Sequence, residues 1–257
     1  MKCLLVSDLH YNLHHYDWLT DVASNFDVLV IAGDLLDVSS PVSPQAQISV
    51  VLSYLNELKD LTNLVVSSGN HDLNSRNENG EKYTKWFSEC RKQGIVSDGD
   101  YYINEDVLFT VYPWWDGPDV KNEIIKQLEI DSQREKNKWI WVYHPPPADS
   151  PTSWNGRKHY GDEDLLEWIE KYGPDLVFGG HVHQAPFSED GSWVDQVGKT
   201  LFFNPGKQIG QFPTHIILDP ERLEAVWFSI YGNEIVSMDN KLKINIAELE
   251  KLPDWLN

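Results

Sequence analysis

Residues 1–67 alternate short apolar runs with longer amphipathic segments, and this alternation limits the possible folds more than any other feature of the chain. The apolar runs that predict β-strands occupy residues 2–6, 27–32 and 64–67. Between them, helical spacing of apolar residues occupies residues 16–26 and 44–60. A helix between two strands is the usual crossover of a parallel pair. The sequence therefore predicts an α/β fold that begins with a parallel sheet.

The rest of the chain is less regular and richer in turns. Further strands are predicted at residues 101–104, 107–112, 139–143, 176–178, 200–203, 215–218 and 223–230. Further helices are predicted at residues 82–92, 120–138 and 162–172, with a short one between residues 245 and 253. The hairpin at residues 101–112 is expected to begin a second sheet. Since no linker or repeat divides the 257 residues, a single domain over residues 1–257 is predicted.

The formal net charge of −19 makes the surface strongly acidic, which argues against a long nucleic acid as partner. No segment has the run of about 18 apolar residues that a membrane span needs, and the apolar run at residues 3–6 is too short for a signal peptide. We therefore expect a cytoplasmic protein without membrane association. Cys3 and Cys90 lack metal-ligand or redox spacing and are expected to be buried apolar residues. The sequence identifies no protein partner.

Metal-capable side chains follow five of the predicted strands. They are Asp8 and His10, Asp34 after Gly33, the tetrapeptide Gly69-Asn70-His71-Asp72, His144 before three prolines, and His181 with His183. Open α/β sheets place their sites at the carboxyl ends of the strands, so these side chains are expected to meet at one edge. In extended chain, residues two apart point to the same side, which suits chelation by the Asp-x-His and His-x-His pairs.

These five blocks, in this order, resemble the signature of the calcineurin-like metallophosphoesterase superfamily. Its blocks run Asp-x-His, Gly-Asp, Gly-Asn-His-Asp or Glu, His, and Gly-His-x-His, and all five are present between Asp8 and His183. Asn204-Pro205-Gly206 resembles the turn that often follows the last block. The resemblance implies a four-layer αββα sandwich of two mixed β-sheets, in agreement with the parallel first half and the hairpin-rich second half.

The resemblance further implies a dinuclear metal centre. Its first ion would bind Asp8, His10, Asp34 and His183. Its second ion would bind Asp34, Asn70, His144 and His181. Because the ligands are oxygen and imidazole nitrogen without thiolate, the expected cofactors are two divalent ions, or a mixed pair containing iron, with Mn, Fe, Zn or Ni preferred to Mg or Ca.

In such a family member, a hydroxide bridging the two ions attacks phosphorus. His71 and Asp72 are the implied catalytic residues: His71 assists the leaving group, and Asp72 orients its ring and raises its pKa. Asn70 and His71 are implied to contact the substrate. The function predicted by the resemblance is hydrolysis of a small phosphomonoester or phosphodiester, including a nucleotide.

Two alternatives are open. Some relatives, such as the phosphoesterase-like subunit of the retromer complex, are protein-binding scaffolds, but here every ligand position is filled, which argues for turnover. The second alternative is a nuclease. The acidic surface, which lacks a basic stripe, argues against long duplex substrates.

The sequence predicts the substrate less clearly than it predicts the metal-ligating residues. Aromatic and basic residues in the loop at residues 145–161 directly follow His144, where Trp154 and Tyr160 either stack on a substrate or pack the loop onto the body. With eleven tryptophans in the chain, packing is the favoured interpretation. Trp114 and Trp115, after the hairpin, are equally ambiguous. The choice between monoester and diester also stays open.

Overall fold

Two β-sheets pack face to face in the computed structural model, which describes residues 1–222, 224–237, 243–245 and 254–256. The strands are β1 (Cys3–Val6), β2 (Val28–Ala32), β3 (Asn63–Ser67), β4 (Ser75–Arg76), β5 (Lys82–Tyr83), β6 (Tyr101–Asn104), β7 (Val107–Val111), β8 (Lys138–Val142), β9 (Leu176–Phe178), β10 (Val194–Val197), β11 (Thr200–Phe203), β12 (His215–Asp219), β13 (Glu224–Ser229), β14 (Gly232–Ser237) and β15 (Lys243–Asn245). The α-helices are α1 (Leu13–Val22), α2 (Pro44–Leu61), α3 (Phe87–Lys92), α4 (Pro118–Ser132) and α5 (Glu163–Tyr172).

The first sheet has the strand order β15-β14-β13-β12-β1-β2-β3. Strands β1, β2 and β3 are parallel, as predicted, with α1 and α2 as crossovers, while β12 to β15 are antiparallel. The second sheet has the order β10-β11-β9-β8-β7-β6, in which β7, β8, β9 and β11 are parallel to one another and the edge strands β6 and β10 are antiparallel to their neighbours. Both sheets are therefore mixed, and β4 and β5 form a separate small ribbon.

Alternation along the strands produces the layers. In β1, Cys3 and Leu5 pack in the core between the two sheets, whereas Leu4 and Val6 pack with α1 and α2 on the outer face of the first sheet. On the outer face of the second sheet, Trp139 and Trp141 pack with α4 and α5. Because successive side chains of a strand point to opposite faces, strands that are apolar throughout can serve two cores at once. The result is the predicted four-layer αββα sandwich.

Sequence signals for helix ends are realised at α2 and α5. Ser43 caps α2 by accepting a hydrogen bond from the Ala46 amide, and Pro44 occupies the first turn. Asp162 caps α5 through the Asp164 amide, and Gly173 ends that helix in the left-handed conformation. The N-terminal cap residue, Asp162, also accepts a hydrogen bond from the Tyr143 hydroxyl at 2.6 Å, which holds the start of α5 beside the end of β8.

Some element predictions were wrong in extent. The helix predicted at residues 82–92 begins only at Phe87, because Lys82 and Tyr83 pair with β4. The helix predicted at residues 120–138 begins at Pro118 and ends at Ser132, since Lys138 already pairs with Val107 in the sheet. Strands β10 and β14 were not predicted. The helix expected near the end falls mainly on residues 246–253, outside the described residues.

The carboxyl ends of β1, β2 and β3 meet those of β8 and β9 where the two sheets adjoin. A hydrogen bond joins the two sheets there, because the His181 amide, after β9, donates to the Asp8 carboxylate, after β1. In the part of the chain that the structure describes, no helix combines the length and apolarity needed to cross a membrane.

Candidate metal centre

The loops after β1 and β2 hold their polar residues in a strained backbone conformation. Asp8, His10 and Asp34 all have positive φ, at 55°, 43° and 54°. Hydrogen bonds between the loops hold them there, since the Asp8 amide donates to the Gly33 carbonyl at 3.1 Å and the His10 amide to the Asp34 carbonyl at 2.9 Å. Such strain costs about 1–3 kcal/mol per residue and is concentrated at functional sites.

Close approach of neighbouring chains explains two of the glycines in the motifs. A Cβ at Gly69 would clash with Oδ1 and the backbone of Asp34, and a Cβ at Gly180 would clash with Oδ2 of Asp8. Neither position could hold a larger residue unless the carboxylate moved. The motif glycines are therefore needed for packing the loops against the two buried acids.

The first group of side chains comprises Asp8, His10, Asp34 and His183. Asp8 Oδ1 lies 3.2 Å from Nε2 of His183, and His10 Nε2 lies 2.9 Å from His183 Nε2 and 3.6 Å from Oδ2 of Asp34. One potential ligand atom from each residue lies within 4.8 Å of all the others. This is the set that the family resemblance assigns to the first ion.

The second group shares Asp34 with the first. Oδ2 of Asp34 lies 3.4 Å from Nε2 of His144, and His181 completes a set whose ligand atoms lie within 4.8 Å of one another. Asn70 Oδ1 lies 3.0 Å from His181 Nδ1. The structure thus brings together all four residues implied for the second ion, and Asp34 is located between the two groups. Metal binding by these residues stays a prediction.

His144 provides the test of whether this set fits a metal. The ring is fully buried, and its Nδ1 lies 2.6 Å from the Ala32 carbonyl, which makes Nδ1 the protonated nitrogen of the neutral ring. Among the described residues, Nε2 of His144 has no hydrogen-bond partner although it is buried. In the neutral ring this nitrogen carries a lone pair that faces Oδ2 of Asp34 at 3.4 Å, and a divalent cation would satisfy both atoms. The residues therefore fit a metal.

The charges at the centre agree with this fit. Burial acts to raise the pKa of Asp8, but hydrogen bonds with His10 and His183 hold that pKa well below its usual range, so Asp8 is anionic. Burial lowers the pKa of His144, yet the charge of Asp34 outweighs this effect and raises it to about 9. The same negative charge that favours a proton on Nε2 favours a metal ion there. Burial lowers the pKa of His181 to about 4, leaving a neutral ring.

His71 lies beside the first group and faces outward. Its Nε2 is 4.0 Å from Oδ2 of Asp34, its ring meets that of His10 edge-on at 4.4 Å, and its side chain is 22% exposed. Nδ1 accepts a hydrogen bond from the Val38 amide at 3.4 Å. Burial lowers the pKa of His71. This position leaves Nε2 free to reach a substrate oxygen.

The predicted role of Asp72 in orienting His71 and raising its pKa is wrong. Asp72 is fully buried and accepts hydrogen bonds from the amides of Leu35 at 3.0 Å, Leu36 at 3.0 Å and Gly69 at 2.8 Å. Burial raises its own pKa to about 8. The carboxyl group points into the protein because these amides have no other partner there, so Asp72 joins two loops instead of touching the ring.

Two residues near the centre, Ser7 and Asp37, were missed from the sequence, and Trp114 was left ambiguous. Ser7 donates to Oδ2 of Asp8 at 2.6 Å, and Asp37 forms a further potential metal-binding group with His10 and His71. The Trp114 ring lies 5.1 Å from that of His181. A signal existed for Trp114, because it follows β7 at the same sheet edge as the ligands. A tryptophan in a sequence, however, is weaker evidence for a catalytic or metal site than a histidine is.

The loop at residues 145–161 contains a half-buried aromatic residue and an exposed one. Trp154 is half-buried and pairs with His159 of the same loop, with ring centroids 4.9 Å apart, and its packing onto the body stays a prediction. Tyr160 is 44% exposed and lines a cavity beside His181, so the packing interpretation was wrong for this residue. His14 is exposed and His215 is stacked on Phe228, and neither belongs to the candidate ligand groups.

Comparison with known proteins places this geometry in a family. The model of the family described as calcineurin-like phosphoesterase matches residues 1–185. "Purple acid phosphatase 15" of Arabidopsis thaliana is 28% identical over 138 residues, which is 51% of this chain. The chain spans only 26% of that relative's length.

Solved structures show the same fold at low identity. A dimetal phosphatase from Danio rerio has a TM-score of 0.55 and 10% identity, covering 88% of this chain and 95% of its own. The purple acid phosphatase PPD1 from yellow lupin, Lupinus luteus, has a TM-score of 0.53 and 14% identity, covering 95% of this chain and 52% of its own. The family match includes all five blocks from Asp8 to His183. The chain belongs to the calcineurin-like phosphoesterases.

Proposed function

We propose that the chain is a metal-dependent hydrolase of small phosphoesters and that the two side-chain groups sharing Asp34 are its dinuclear centre. The observation that carries this proposal is the buried Nε2 of His144, which lacks a hydrogen-bond partner within the described residues and faces the Asp34 carboxylate. The similarity to a purple acid phosphatase supports hydrolysis of an ester. Mn, Fe, Zn or Ni suits the nitrogen and oxygen donors.

The charge at the centre favours a phosphate. Asp8 and Asp34 contribute −2, whereas two divalent ions contribute +4, and Asn70 and the neutral imidazoles contribute nothing. A net charge of about +2 would therefore face the substrate, although the whole protein is acidic, because salt screens distant surface charge beyond about 8 Å. When bound, the ions would supply Lewis acidity that lowers the pKa of a coordinated water and polarises the phosphoryl oxygens.

His71 and Asn70 complete the machinery on the protein side. His71 Nε2, partly exposed and close to Asp34, would hold a proton and deliver it to the leaving oxygen as the bond to phosphorus breaks. The Asn70 amide oxygen would bind the second ion and leave its N–H groups to contact the phosphoryl group. Asp72 acts only through the backbone, by fixing the loop that carries both residues.

The first test is hydrolysis of p-nitrophenyl phosphate and of bis-p-nitrophenyl phosphate by metal-stripped protein to which Mn, Ni, Zn, Fe or Mg is returned singly. We expect nitrophenol release only with metal, at two ions bound per chain, and the same behaviour from the control Asp21→Asn, an exposed carboxylate on α1. Two bound ions without release from either ester would indicate the scaffold alternative. Release that survives complete removal of metal would contradict the proposal.

A further inference from the structure

Two separate cavities reach the candidate centre, and they differ in chemistry. The first, of about 350 Å³, is lined by His71 together with Asp37, Arg76 and Lys82, and we call it the basic cleft. The second, of about 450 Å³, is lined by His181 together with Trp114, Trp115, Tyr160 and Glu163, and we call it the aromatic cleft. No lining residue is common to both. One cleft therefore ends beside the first group of ligands and the other at the second group.

Two clefts fit a phosphorus atom that carries two organic substituents. A phosphomonoester has one such substituent and would leave one cleft empty, whereas a phosphodiester has two, and each cleft has the volume of a small-molecule site. Resting on the proposed function, we propose that this centre acts on phosphodiesters with a flat, aromatic arm in the aromatic cleft and a polar or anionic arm in the basic cleft.

The position of His71 decides which arm leaves. His71 lines the basic cleft and His181 lines the aromatic cleft, so the ester oxygen of the arm in the basic cleft is the one on the side of the His71 ring. Water adds its oxygen to phosphorus and gives up one proton, the bond from phosphorus to that ester oxygen breaks, and the departing alkoxide takes up one proton from His71 to become an alcohol, so protons balance overall. The products are a phosphomonoester that retains the aromatic arm and a free alcohol from the basic cleft, where Arg76 and Lys82 favour a negatively charged group.

Trp114 is the stacking surface of the aromatic cleft. Lys121 Nζ lies 5.1 Å from the Trp115 ring centroid, and Lys158 Nζ lies 4.3 Å from that of Tyr160, so both rings already have cationic partners. In the described part of the chain no such cation covers Trp114. Its amide is fixed by a hydrogen bond to Ser68 Oγ at 3.0 Å, and its ring lies beside His181. An aromatic arm on the phosphate would therefore stack on Trp114.

Three nitrophenyl esters with the same leaving group test the proposal on the metal-loaded full chain. Bis-p-nitrophenyl phosphate keeps an aromatic arm, methyl p-nitrophenyl phosphate keeps a methyl group, and p-nitrophenyl phosphate keeps none. We expect the highest kcat/KM for the first. Trp114→Ala should lower kcat/KM for that ester by about tenfold, as loss of a stacking partner does, and for the other two by less than about threefold.

Because Trp114 packs on His181, further variants are needed to distinguish a loss of stacking from a disturbed metal centre. Trp114→Phe retains a stacking ring and should restore the preference for the aromatic diester. Tyr160→Ala alters the rim of the aromatic cleft without touching a ligand, and should reduce the same preference to a smaller extent. Trp18→Phe, on α1 and away from both clefts, is the control, and bound metal is measured for each variant.

The outcomes separate this inference from the proposed function. Hydrolysis of all three esters with the monoester preferred, or equal losses on all three esters in Trp114→Ala with its metal retained, would overturn the two-armed assignment and leave the hydrolase standing. An absence of metal-dependent release from all three esters would instead overturn the proposed function itself.

Discussion

The two sheets contribute different chemistry to the candidate centre. Loops after β1 and β2 of the first sheet supply both buried carboxylates, Asp8 and Asp34, whereas loops after β8 and β9 of the second sheet supply imidazoles only. Both of these aspartates have positive φ. The anionic part of the centre is therefore held within one pair of loops of the first sheet, together with His10, and three further imidazoles reach it from the second sheet.

This difference shows how buried carboxylates stay charged. Each one accepts hydrogen bonds from a loop other than its own: the His181 amide donates to Asp8, and the His71 amide donates to Oδ1 of Asp34 at 2.9 Å. Burial raises the pKa of both aspartates, but hydrogen bonds and charge from neighbouring histidines outweigh it: His10 and His183 act on Asp8, and His144 acts on Asp34. Because Asp34 belongs to both ligand groups, a change at this carboxylate should disturb both ion positions, while a change at an imidazole of the second sheet should disturb one.

The largest effect is expected from Asp34→Asn. Asp34 belongs to both ligand groups, so the loss of its charge should abolish hydrolysis and reduce bound metal from two ions per chain to nearly none. His183→Ala removes a ligand of the first group only and should leave about one ion per chain. Metal content by mass spectrometry after dialysis measures both, with Asp21→Asn as the control. Two ions and retained hydrolysis in Asp34→Asn would rule out a shared carboxylate.

A smaller effect is expected at His71, which lies beside the ligands without belonging to the two groups that contain Asp34. His71→Ala should keep both ions and lower kcat by about 10²–10⁴-fold, because a positioned proton donor contributes that much. KM should change little, since the phosphoryl group is held by other groups. The matched control is His14→Ala, an exposed histidine on α1. A loss of metal in parallel with the loss of rate would assign His71 to the ligands instead.

The sequence predicted the first half of the chain better than the second, for a physical reason. Strands β1, β2 and β3 are apolar throughout and are joined by amphipathic helices, so local pattern and tertiary role agree. Strand β10 carries Asp195 and Gln196 on an edge, where one face is not buried, and its pattern was too weak to predict. The helix predicted from residue 82 begins later, because Lys82 and Tyr83 pair with Ser75 and Arg76 just upstream, in strands too short to show an alternating pattern.

Within the site, residue identity could be predicted and contact could not. The ligand positions follow from side-chain chemistry and from their order along strands that share one edge. Asp72 was predicted to contact His71, its neighbour in sequence. It instead accepts hydrogen bonds from the buried amides of Leu35 and Leu36, which require an acceptor inside the protein. The two clefts depend on where loops from different strands lie relative to one another, which a single sequence does not state.

The smallest effect on chemistry is therefore expected from Asp72→Asn. Two oxygens of Asp72 accept from three amides, and an asparagine offers one oxygen, so at least one buried amide would lose its partner. Unfolding in urea should show a loss of about 1–3 kcal/mol. The double variant with His71→Ala distinguishes this supporting role from an orienting one. If Asp72 acts only on the loops, its modest effect on kcat should persist when His71 is absent, whereas an effect that disappears in that background would mean that Asp72 acts through the ring.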